Sequence, residues 1–226
     1  MDTYLFSPEN VKEALESAFY EPARSLTKSR GKNIHRYAST KMGQRISVES
    51  TLEFDACFHF DFDKSIKRFC SQPIRYNYHL DEKKRSYVPD FLAEFNDGDF
   101  VLFEVKTNSA AYSKGFQREF QAKKYAAEQL GIPLVLLKES EIRDAQLLKN
   151  LKLLHRYASR DDLTYYQQAI LSILSDFGSQ NVESLIHKTG MNRVNIMPMV
   201  CDLLARCLLD ADLAMPLTNQ TVLNYA

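Results

Sequence analysis

Residues 86–106, SYVPDFLAEFNDGDFVLFEVK, decide how the chain is read. Two apolar, strand-like runs, Ser86–Phe95 and Asp99–Lys106, flank Asn96-Asp97-Gly98. Asp-Gly supplies the positive φ of a tight turn, so the runs are expected to pair as an antiparallel hairpin. Side chains alternate along a strand, which puts Phe100, Leu102, Glu104 and Lys106 on one face and Val101, Phe103 and Val105 on the other. Glu104 and Lys106 then project side by side from the end of a strand whose first half is buried. Asp90, after Pro89 on the partner strand, comes within reach if the turn sets the register. The two carboxylates and the Val105 carbonyl make an oxygen site suited to Mg²⁺, with Mn²⁺ able to substitute. Lys106 beside it would hold an attacking water and balance charge growing on a phosphate.

Outward from the hairpin, the sequence orders a helix, three strands, a helix and a strand. The helix runs from Ser47 to about residue 60, where Glu49 and Glu53 stand four apart and share a face. Either would supply a further carboxylate to the strand ends. A strand pattern covers Gln72–Leu80. Ser113 caps a helix to Leu130 with Phe116, Phe120, Ala127 and Leu130 on its buried side; Gly131 ends it and Pro133 blocks continuation. Pro133–Leu137 reads as a strand buried on both faces, and Lys138–Tyr157 as one helix. Near the start, Ser7 or Asn10 caps a helix to Tyr20 with Val11, Leu15 and Phe19 on one face.

The pattern changes near residue 160, which sets expected domains of 1–160 and 161–226. Thr164–Phe177, Val182–Lys188 and Asn192–Leu209 read as helices, the last two joined by Thr189-Gly190 as in a helix-turn-helix. Ala211–Leu217 and Thr221–Tyr225 would form a small wing.

Composition bounds the function. The chain has 226 residues, 45% apolar, with 29 basic against 29 acidic side chains, enough to fill a sizeable core. No apolar run approaches a membrane span, and Met1–Tyr20 carries four acids without a long apolar stretch, so a cytoplasmic location is expected. Cys57, Cys70, Cys201 and Cys207 show no CxxC pairing, which disfavours a zinc ribbon or a disulfide framework and suggests buried fillers. Residues 22–48 hold seven basic residues and no acid: Arg24, Lys28, Arg30, Lys32, Arg36, Lys41 and Arg45. Cations spaced by Gly, Ser, Thr and Asn suit phosphate contacts along DNA, although a solvated loop would look the same. Tyr37 among them would stack on a base or sugar.

An Asp followed at distance by Glu-x-Lys is frequent by chance, since 26% of the residues are charged. Its context here is more specific. The order Glu53, Pro89-Asp90 and Glu104-Val105-Lys106 resembles the PD-(D/E)xK nuclease superfamily. Within it, the chain resembles TnsA, the endonuclease subunit of heteromeric transposases, across most of residues 22–158. KMGQRISVESTLEFDACFHFDFD, SQPIRYNY, YVPDFLAEFNDGDFVLFEVKTN and ESEIRDAQLLKNLKLLHRY carry the likeness. The size and small C-terminal domain are similar to the compact form of CRISPR-associated transposons.

The resemblance implies an α/β (α+β) fold, a restriction-endonuclease-like mixed sheet flanked by helices, with a winged-helix-like C-terminal domain. It implies a Mg²⁺-dependent endonuclease that cuts the 5′ strand at transposon ends while a TnsB-type transposase cuts and joins the 3′ ends. By motif, the helix carboxylate falls on Glu53, the central metal aspartate on Asp90 and the lysine on Lys106. The family tolerates Gln at the position of Glu104, and Glu49 becomes a supporting acid. DNA, a TnsB-type transposase and a TnsC-type AAA+ ATPase are the implied partners, in a bacterial, nucleoid-associated setting. The C-terminal region departs from a DNA-binding winged helix. Its last helix carries only Arg193 and Arg206, and residues 161–226 hold three basic residues against seven acids. Docking to a protein partner fits that balance better.

Two rival functions stand beside this one. A stand-alone restriction or repair nuclease would share the fold and cut bare DNA unaided. A catalytically silent DNA-binding regulator would lack a catalytic group, and none is missing. His59, Asp61 and Asp63 alternate at a helix end and read as a solvated face rather than a metal cluster.

Overall fold

A computed structural model describes residues 10–24 and 33–226. Chain order begins with α1 (Val11–Ser17), β1 (His35–Ser39), β2 (Gln44–Val48) and α2 (Thr51–Phe62). β3 (Ile66–Ser71), β4 (Tyr76–Leu80), β5 (Lys83–Tyr87), β6 (Phe91–Phe95) and β7 (Phe100–Lys106) follow. Then come α3 (Asn108–Ala111), α4 (Lys114–Gln129), β8 (Leu134–Lys138), α5 (Glu139–Ile142) and α6 (Ala145–Tyr157). The chain closes with α7 (Tyr165–Phe177), β9 (Gln180–Asn181), α8 (Val182–Thr189), α9 (Arg193–Ala205), β10 (Leu209–Asp210) and β11 (Val222–Tyr225). No helix among the described residues is long and apolar enough to cross a membrane.

The chain divides into compact units at Ile142/Arg143, earlier than the boundary expected near residue 160. The reason is α6, which packs on α9 and therefore belongs with the C-terminal unit. The expected helix over residues 138–157 is broken at Arg143-Asp144, where Asp144 accepts from the Leu147 N–H and starts a new helix.

The first unit is a mixed α/β layer structure. Its central sheet runs β3-β6-β7-β8, with β3, β6 and β7 antiparallel and β8 parallel to β7. The β6–β7 hairpin forms as the sequence predicts, with Leu92 opposite Leu102 and Gly98 at φ +92° in the turn. On one face Leu92, Leu102 and Leu134 pack with Leu15 of α1 and Phe120 and Ala127 of α4. On the other, Phe60 of α2 contacts Phe69, Phe91 and Phe103 at centroid distances of 4.9–5.4 Å. Apolar side chains are thus removed from water on both faces of one sheet. β8 lies at the edge of the sheet; Val135 is 40% exposed, so the expected burial on both faces does not hold.

Part of the basic segment is folded. β1 and β2 pair as an antiparallel hairpin, with Tyr37 opposite Ile46. Tyr37 is fully buried against Phe54 and Phe58, so it is not available to stack on a base. Asp61 anchors this hairpin to α2, accepting from the Tyr37, Ser39 and Thr40 hydroxyls and from the Thr40 and Lys41 N–H groups. It is 2% exposed, which corrects its reading as part of a solvated face. Ser7 lies outside the described residues.

The second unit holds α6–α9 and a small antiparallel sheet in the order β10-β11-β9. Thr164 and Gln167 form a capping box at α7, and Gly190 ends α8 in the left-handed region. Residues 211–217 form no strand; Asn150 of α6 holds this loop, donating to the Leu213 and Met215 carbonyls at 2.8 Å. Buried Asp202 of α9 accepts from the Ser159 N–H, the Gln167 amide and Arg206.

Candidate active site

The site begins at the break between β5 and β6. Pro89 has no N–H to give to a ladder, so the strand-like run 86–95 is interrupted there and pairing resumes at Phe91. Asp90 is tied into the sheet from both sides: its N–H donates to the Phe103 carbonyl, and its carbonyl accepts from the Gln72 N–H. Its carboxylate turns to the neighbouring strand, where Oδ2 accepts the Val105 N–H at 2.8 Å. The register inferred from Asp97-Gly98 therefore does bring Asp90 to the end of β7.

Glu104 is 3% exposed and faces α4, on the same side of β7 as Leu102. Burying a carboxylate requires compensation. Lys106 Nζ lies 2.6 Å from Oε1, Lys123 of α4 reaches the same oxygen at 3.8 Å, and the Tyr87 hydroxyl donates to Oε2. Lys106 Nζ also donates to the Val105 carbonyl at 3.1 Å. The side-by-side placement of Glu104 and Lys106 expected from strand alternation is thus a direct ion pair.

Electrostatics single out Asp90. Burial, then the charge of Glu104, push its pKa up to about 8 against the pull of Lys106, with Glu53 adding to the rise. Burial alone would lower Lys106, but Glu104 and Asp90 hold its ammonium above the ordinary lysine value. Tyr87 is raised well above an ordinary phenol by burial and by Glu104, so it stays protonated and able to donate. The cluster is short of positive charge.

Glu53 and Glu49 enter from the start of α2. Glu53 accepts from the Ser50 hydroxyl at 2.7 Å and the Glu49 N–H at 3.0 Å, while Ser50 accepts from the Glu53 N–H. Its carboxylate therefore closes the helix cap as well as contributing charge near Asp90 and Lys106. Glu49 pairs with Arg24 at 2.7 Å. Among the described residues, no group of three or more His, Cys, Asp and Glu is gathered as a ready-made metal cage. The donor chemistry still suits Mg²⁺, which uses one or two carboxylates and fills its octahedron with water and phosphate oxygens. Asp90, Glu104 and the Val105 carbonyl are hard oxygen donors of that kind.

Of the basic residues, Lys28, Arg30 and Lys32 lie outside the described residues. Arg36 and Arg45 are exposed on the outer face of the β1–β2 hairpin and, with Arg24, line a cleft of about 370 Å³. Lys41 serves the fold, donating to the Asp63 and Ile66 carbonyls.

Sequence reasoning missed Tyr87 and Lys123. Lys123 offered a signal: it stands three residues after Phe120 and four before Ala127, a charged residue within the apolar stripe of α4. It is 7% exposed, with its ammonium 4.2 Å from the Tyr87 ring centroid. Tyr87 gave none, because a tyrosine ending a strand is ordinary packing.

Residues 63–139 match the family described as TnsA-like endonuclease N terminal. The matched stretch holds Asp90, Glu104, Lys106, Tyr87 and Lys123, and stops short of Glu53 on its N-terminal side. The match makes this stretch similar to the N-terminal part of a TnsA-like endonuclease. Among curated proteins, none matches.

Proposed function

We propose that this TnsA-like nuclease hydrolyses the 5′ strand at transposon ends in a Mg²⁺-dependent reaction, working beside a TnsB-type transposase and a TnsC-type ATPase. The observation that carries the reading is the meeting of Asp90, Glu104 and Lys106 at the end of β7, inside the matched segment. Asp90, Glu104 and the Val105 carbonyl would hold the metal, with Glu53 acting on it or on its water. Bound Mg²⁺ supplies a polarised phosphodiester and a water of lowered pKa.

The chain's own residues do the rest. Lys106 keeps its proton because the Glu104 carboxylate faces it, so it offers a fixed positive charge to a phosphate whose charge grows during attack. The Val105 N–H fixes one oxygen of Asp90 and leaves the other oxygen to a ligand. Tyr87 and Lys123 hold Glu104 from the side of α4. Burial and Glu104 raise the pKa of Asp90, so a bound cation would take the place that a proton is favoured to fill in its absence.

The C-terminal unit supports a partner-docking role more than strong duplex binding. The start of α9, where a recognition helix would read bases, presents Val194 at 80% exposure. The reading is tested by product analysis of transposition with the partner transposase and ATPase. Asp90→Ala should convert simple insertions into cointegrates, because 3′ joining continues without 5′ cutting. Simple insertions persisting at the wild-type level would refute it.

A further inference from the structure

A cleft of about 560 Å³ opens where α3 meets α4, lined by Tyr112, Lys114, Phe116, Arg118, Leu136 and Lys138. It adjoins the acidic cluster through Phe116, whose ring centroid lies 5.7 Å from Lys106 Nζ. Three cations line it, and no carboxylate does. Neighbouring acids are already held by backbone N–H groups or by a cation of the rim. Asp81 pairs with Arg118 on its outer side, Glu141 accepts the Lys138 N–H, and Glu139 accepts the Asn108 N–H.

The aromatic side chains decide which polyanion fits. Tyr112 is 62% exposed, with Lys138 Nζ 5.6 Å from its ring centroid. Phosphate alone needs only the cations. A ring presented beside them offers a stacking surface, and every base has a face to lay on it. Bases in an intact duplex are already stacked and turn no face outward, so a platform of this kind selects nucleotides that have left the stack. The cleft also lies at the start of α4, whose first turn carries Lys114 and no acid, so its dipole reinforces the cations.

We infer that this cleft binds an unpaired nucleotide of the DNA strand next to the phosphate that Lys106 contacts. The inference rests on the nuclease reading for the identity of the strand, and on the cleft alone for the preference for unpaired bases. Local opening of the duplex beside the cut would then be part of substrate recognition.

The test is metal-free fluorescence anisotropy of the full chain with two labelled DNAs: a blunt duplex, and the same duplex carrying a short unpaired 5′ extension. Wild type should bind the extended duplex more tightly. Tyr112→Ala should weaken that binding about tenfold while changing blunt-duplex binding less than about twofold, and Tyr112→Phe should restore it. Unchanged affinity of Tyr112→Ala for the extended duplex overturns the inference, as does an equal loss on both DNAs. Equal displacement by a free mononucleotide, concentration for concentration, overturns it too. Cleavage is not read in this assay. A nuclease reading defeated by Asp90→Ala would leave the binding result standing, and a failed binding result would leave the cleavage chemistry intact.

Discussion

At the residue scale, the buried Glu104 and the half-buried Asp90 are neutralised differently. Glu104 has three partners, Lys106, Tyr87 and Lys123, while Asp90 has one backbone N–H and a pKa pushed to about 8 by burial and by Glu104. A folded-state pKa above the unfolded value means the folded state binds the extra proton. Stability of the metal-free protein should therefore fall as pH rises from about 4 to about 8. Urea midpoints in chelator should show that decline, and Asp90→Asn should flatten it; a midpoint independent of pH in wild type would contradict the arrangement. Tyr87→Phe removes the hydroxyl that satisfies Oε2 of Glu104, at a cost of about 2 kcal/mol. Its urea midpoint should drop accordingly, and a change under about 0.5 kcal/mol would mean the hydroxyl is dispensable.

At the element scale, the β1–β2 hairpin is held to α2 through one side chain. Asp61→Ala strands several donors inside the protein, with an expected loss of about 3 kcal/mol. Denaturant unfolding checks it, and a wild-type midpoint would show that water replaces the carboxylate. The same element shows why some of the fold was hidden in the sequence. Arg36 and Arg45 alternate with buried Tyr37 and Ile46, a strand signature masked by the density of cations and small polar residues. β3 was hidden for another reason: a register shift between Ile66 and Arg68 breaks period-two alternation, so Lys67 and Arg68 interrupt the pattern. The β6–β7 hairpin and α4 were legible because Asp97-Gly98 and the Ser113 cap are local signals that need no tertiary context. Asp90, Glu104 and Lys106 were legible through that hairpin. The supports of Glu104 were not, because they depend on how α4 and β5 pack.

At the scale of the whole molecule, charge is parcelled out unevenly although the total is zero. Arg24, Arg36 and Arg45 line one cleft of the first unit, while the start of α9 presents an exposed valine. DNA affinity should accordingly lose salt dependence when Arg36 and Arg45 are both replaced by Ala, the log–log slope shrinking by about 2. An unchanged slope would return these arginines to the solvated surface. The chain forms two compact units, so the effects of substitutions in α9 and at the end of β7 should be separable by mutation. The most direct measurement is 5′-strand cleavage of an end-labelled transposon end, with the partner proteins and Mg²⁺ present, by wild type and by Asp90→Asn. The account predicts a loss of at least about a thousandfold in rate, with the folded protein retained. Cleavage by Asp90→Asn within about twofold of wild type would contradict it.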